Sequence, residues 1–77
     1  MKRILVVEDE KDIQNIIKAF LENAEYKVET ADDGLDAINL IQNNNYDLIL
    51  LDIMLPKVDG FTICEMIRKN SDVPIII

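Results

Sequence analysis

The chain has 77 residues with one cysteine, no histidine and no tryptophan. That bounds it to one domain near the lower limit of what folds alone, and Cys64 has no partner for an internal disulfide. The formal net charge of −7 disfavours direct contact with nucleic acid, because neutralising phosphates needs clustered Lys and Arg. No stretch approaches the roughly 20 apolar residues of a membrane span. The apolar run behind Met1-Lys-Arg3 stops after four residues at Glu8-Asp9, too short for a secretion signal. The expected compartment is the cytoplasm.

Strand and helix patterns alternate along the whole chain. Arg3–Val7 reads as the first strand, a continuous apolar run of the kind buried on both faces of a parallel sheet. A helix follows from about Lys11 to Asn23, with Ile13, Ile16, Ile17, Phe20, Leu21 and Ala24 spaced to share one face. Tyr26–Thr30 alternates apolar and polar residues, as an edge strand does. Asp32-Asp33-Gly34 supplies N-cap chemistry for a second helix to about Gln42, with Leu35, Ile38 and Ile41 turned inward. Asp47–Leu51 is the third strand. A third helix spans about Gly60 to Lys69 and buries Ile63, Cys64 and Ile67; Cys64 reads as core, not as a redox centre. Pro74–Ile77 begins a fourth strand. Alternation of this kind means βαβ units, a parallel sheet and right-handed crossovers.

The chemistry collects at the ends of two strands. Ile4–Val7 runs into Glu8-Asp9, and Leu48–Leu51 runs into Asp52. If the two strands are neighbours, their ends sit about 4.8 Å apart and three carboxylates converge. Two carboxylates about 6 Å apart repel by roughly 3 kcal/mol at an effective dielectric near 20. Such a cluster suits a hard, oxygen-seeking divalent cation, magnesium first and manganese second, and one of the carboxylates is then a candidate nucleophile toward phosphorus. In the loop Asp52–Gly60, Pro56 holds Leu55 extended, so no helix starts directly after the strand. A backbone carbonyl from this loop, that of Met54, completes the expected oxygen shell.

Taken together, Ile4-Leu-Val-Val-Glu-Asp9, Asp33-Gly34, Asp47-Leu-Ile-Leu-Leu-Asp-Ile-Met-Leu-Pro56 and Asp59-Gly60 resemble a receiver domain of a bacterial two-component response regulator. The resemblance runs over the whole chain. It implies a flavodoxin-like, doubly wound parallel α/β sheet. It places the phosphoacceptor at Asp52, direct metal ligation at Asp9 and Asp52, a carbonyl ligand at Met54 and a metal-bound water at Glu8. It further implies a magnesium cofactor, a sensor histidine kinase as phosphoryl donor, and a regulatory domain, not an enzyme. The Met-Leu-Pro segment followed by Asp-Gly is similar to members that carry a winged-helix DNA-binding output domain, which is the expectation for transcription regulation by a longer parent protein.

Strand starts near residues 3, 26, 47 and 74 put roughly 21–27 residues in each βα repeat, so five repeats need about 105–135 residues. Residues 1–77 are therefore expected to be the N-terminal part of a single receiver domain, with strand order 2-1-3-4 and the fifth strand and last two helices absent. On that expectation Pro74–Ile77 is an exposed edge open to self-association. Two other chemistries fit poorly. A dehalogenase-type phosphohydrolase needs a second Asp two residues after the first, where Met54 stands, and a dinucleotide fold needs glycines where Glu8–Asp12 stand. The alternative that stays open is an inactive folding or assembly fragment of a receiver domain.

Overall fold

A computed structural model describes residues 1–51, 60–69 and 71–76. The elements in chain order are β1 (Arg3–Val7), α1 (Lys11–Asn23), β2 (Lys27–Ala31), α2 (Gly34–Asn43), β3 (Leu48–Leu51), α3 (Gly60–Arg68) and β4 (Ile75–Ile76). The four strands form one parallel sheet in the order β2-β1-β3-β4. The expected loop residues Asp52, Met54, Pro56 and Asp59, and Ile77 of the expected fourth strand, lie outside the described residues.

Side-chain alternation along the central strands builds two cores. Leu5 and Val7 of β1 join Ile49 and Leu51 of β3 under α2 and α3, with Ala31, Ala37, Ile63 and Ile67 completing that layer. Ile4 and Val6 face the other way and pack with Val28, Ile17, Leu21, Leu48 and Leu50 beneath α1. All four apolar residues of Ile4–Val7 are buried, as their continuous run requires; in β3 Leu48 and Leu50 are half-buried.

Three local expectations are corrected. The second strand is Lys27–Ala31, one residue later than its alternation suggested, because Tyr26 donates its N–H to the Leu21 carbonyl and closes the end of α1. The broad apolar stripe of α1 does not bury as a unit: Ile17 and Leu21 pack on the sheet, whereas Ile13, Ile16 and Phe20 are exposed. The residue that α1 buries is Gln14. In α2 Gly34 and Ala37 are buried and Ile41 packs against the same core as expected, but Leu35 faces solvent at 51% exposure. A helix lying flat on a sheet allows only small side chains at closest approach, which displaces the bulkier Leu35 outward.

Candidate functional site

The register of the central strands decides where the acids go. Val7 of β1 pairs with Leu51 of β3 on one side and with Ala31 of β2 on the other. Glu8 and Asp9 follow Val7, Asp52 is the next residue in the chain after Leu51, and Asp32 follows Ala31. The strand ends of β1, β2 and β3 are thus level, all at their C-terminal side. Crevices beyond the carboxyl ends of parallel strands, at a point where the strand order reverses, are where α/β sheets bind ligands. Here the reversal lies between β1 and β3.

Of the expected site residues, Glu8 and Asp9 are described. Glu8 is buried, with 8% of its surface exposed, and Asp9 is exposed. The Glu8 backbone N–H donates to the Ala31 carbonyl at 3.1 Å, and its carboxylate accepts the Glu10 N–H at 3.1 Å. Asp52 and Met54 lie outside the described residues, and among the described residues no group of three His, Cys, Asp or Glu side chains is placed to hold a metal. A buried carboxylate beside an exposed one, at the end of a strand paired with the strand preceding Asp52, is a donor set of hard oxygens. That chemistry fits a magnesium-type ion.

Sequence reasoning missed two polar residues at this end of the sheet. Gln14 is 3% exposed. Its Nε2 donates to the Glu8 carbonyl at 3.0 Å, to the Ala31 carbonyl at 3.3 Å and to Asp32 Oδ1 at 3.0 Å. Asp32 also accepts from Lys11 Nζ at 2.7 Å, and the lysine, followed by Gln14, holds the Asp32 carboxyl below its usual range. The signal in the sequence was Gln14 itself, a polar residue three and seven positions before Ile17 and Leu21 on the same helix face. A cavity of about 440 Å³ lies elsewhere among the described residues, with Ile38, Ile41, Tyr46, Met66, Ile67 and Val73 in its walls, and neither Glu8 nor Asp9 lines it.

With that geometry in hand, comparisons with known proteins converge on one family. A family model for the response regulator receiver domain matches residues 4–77. The response regulator ArlR of Staphylococcus saprophyticus is 46% identical over 77 residues, covering all of this chain and 35% of that protein. The probable transcriptional regulator ycf27 of Guillardia theta is 47% identical over 75 residues, 97% of this chain and 30% of that protein. The chain therefore spans about a third of the length of the curated relatives it matches. Among solved structures, the response regulator TrrA of Thermotoga maritima in complex with Mg(2+)-BeF superimposes with a TM-score of 0.89 at 41% identity, over 92% of this chain and 62% of that one. A structure of the histidine kinase ThkA in complex with TrrA matches with a TM-score of 0.92 at 41% identity, over 97% of this chain and 66% of that one. The β2-β1-β3-β4 sheet, the level acid-bearing strand ends and these matches have one reading: the chain belongs to the response regulator receiver domains.

Proposed function

We propose that residues 1–77 are the N-terminal part of a receiver domain that takes a phosphoryl group on Asp52 from a sensor histidine kinase. The observation that carries this reading is the pairing of Val7 with Leu51, which levels the strand leading to Glu8-Asp9 with the strand leading to Asp52. The Mg(2+)-BeF complex of TrrA and the ThkA–TrrA complex support the same reading by similarity.

In the proposed reaction an Asp52 carboxylate oxygen attacks the phosphorus of a phosphohistidine. The new O–P bond forms as the P–N bond breaks, the electron pair stays on the departing imidazole nitrogen, and an acyl phosphate results. Asp9, Asp52 and the Met54 carbonyl would hold magnesium directly, with Glu8 reached through water. The ion when bound supplies charge neutralisation for the carboxylates and phosphoryl oxygens that must approach one another. The protein's contribution is otherwise positional. Residues 1–77 act in this reading as a phosphoacceptor regulatory domain, whose own site assists any self-phosphorylation or dephosphorylation. The proposed setting is cytoplasmic, and output by a longer parent protein acts on transcription. A kinase has an apolar surface to cover close by: α1 starts two residues after Asp9 and exposes Ile13, Ile16 and Phe20.

Calorimetric titration with magnesium tests the site. One weak binding event is expected in the wild type and none in Asp9→Asn or Asp52→Asn. Equal heats in all three proteins would refute the assignment.

A further inference from the structure

We infer that Gln14 is a positioning residue for the acid pair, holding the peptide between Glu8 and Asp9 in the orientation that aims both carboxylates at the strand-end crevice. The inference rests on the metal reading above. Gln14 occupies a place on α1 that its neighbours Ile17 and Leu21 would lead one to fill with an aliphatic side chain, and burying an amide there is unfavourable unless its hydrogen bonds are made. They are made to one cluster. The Nε2 group has two hydrogens and three acceptors within 3.3 Å: the carbonyls of Glu8 and Ala31 and the carboxylate of Asp32.

The Glu8 carbonyl belongs to the planar peptide that joins Glu8 to Asp9. Fixing its direction fixes ψ of Glu8 and limits φ of Asp9, and so the direction in which the Asp9 side chain leaves the chain. The preceding peptide is fixed as well, since the Glu8 N–H donates to the same Ala31 carbonyl that accepts from Gln14. Gln14 thereby ties the end of β1 to the end of β2 at the residue where ligation begins. A side chain that only filled space at this point would make none of these hydrogen bonds.

The test is magnesium titration of the full chain by calorimetry and by the amide shifts of Glu8 and Asp9. It compares wild type with Gln14→Met, which keeps the volume but removes the donors, and Gln14→Lys, whose ammonium offers three donors to three acceptors. Titrations are run well below each variant's melting temperature, so that a loss of stability alone leaves the dissociation constant unchanged. Weakening by about ten-fold is expected for Gln14→Met, as for loss of an outer partner at other metal sites, with recovery to near the wild-type value in Gln14→Lys. If Gln14→Met does not fold, Gln14→Asn decides: it draws the amide back by one methylene and should weaken binding. Wild-type affinity and wild-type Asp9 shifts in the decisive variant would overturn the role of Gln14 while leaving the metal site intact. Absence of magnesium binding in the wild type would overturn both.

Discussion

Arg3 organises the end of the sheet opposite the acids. Its guanidinium pairs with the Glu29 carboxylate, reaches Asn44 Oδ1 at 3.5 Å and lies 5.1 Å above the centre of the Tyr46 ring. Its backbone N–H donates to Asp47 Oδ2 at 2.7 Å, and the Tyr46 hydroxyl donates to Glu29 Oε1 at 2.9 Å. β1, β2 and the approach to β3 are therefore linked through one residue. Arg3, more than the Tyr46 hydroxyl, holds the Glu29 carboxyl below its ordinary 4.5. Burial, reinforced by Glu29, pushes the Tyr46 phenol from 10 up to about 12. The signs follow from linkage. The Glu29 contribution is fully present above pH 4.5 and is lost as pH falls through the lowered value. The Tyr46 contribution is fully present below pH 10 and is lost as pH rises from 10 toward 12. Denaturant midpoints should therefore show a gap between wild type and Glu29→Gln at pH 7 that shrinks below pH 4.5. The alkaline loss of stability should diminish in Tyr46→Phe. A gap that stayed constant from pH 7 to pH 3 would contradict the Glu29 assignment.

Among the elements, the close of α1 is locally strained. Glu25 has φ of 71°, the only positive φ at a non-glycine residue among those described. Its N–H bonds to the Glu22 carbonyl and that of Tyr26 to the Leu21 carbonyl, a left-handed helix end of the kind that glycine usually occupies. A Cβ in that region is unfavourable by roughly 1–2 kcal/mol. Glu25→Gly should stabilise the chain by about 1 kcal/mol, or about 4–8 °C in Tm for a domain of this size; no gain in thermal melting would contradict this account. The start of α2 is, by contrast, well made, since Asp33 accepts the Asp36 N–H at 2.9 Å. That cap was legible in Asp32-Asp33-Gly34, and α1, α3 and the four strands were legible within a residue or two from their apolar spacing. The fate of the α1 stripe was not. Spacing says which residues share a face but not how much of that face the sheet covers, and Ile13, Ile16 and Phe20 lie beyond its reach. Gln14 was hidden for the complementary reason, because its partners, two backbone carbonyls and the Asp32 carboxylate, are brought together only by the fold.

At the scale of the whole molecule, level strand ends concentrate acid at one side of the sheet. The convergence of Glu8 and Asp9 with the strand leading to Asp52 was legible because two apolar runs each end on acid. Pairing of those runs, not any single residue, is what levels their acid-bearing ends.

The central claim is that Asp52 receives the phosphoryl group. Its most direct test is intact-mass and peptide mapping of the full chain after incubation with magnesium and acetyl phosphate, a small acyl phosphate donor that needs no kinase. One phosphoryl group is predicted on the peptide containing Asp52. It should be labile to hydroxylamine, as acyl phosphates are, dependent on magnesium, and absent from Asp52→Asn. An unmodified wild-type chain, or equal labelling of wild type and Asp52→Asn, would contradict the account.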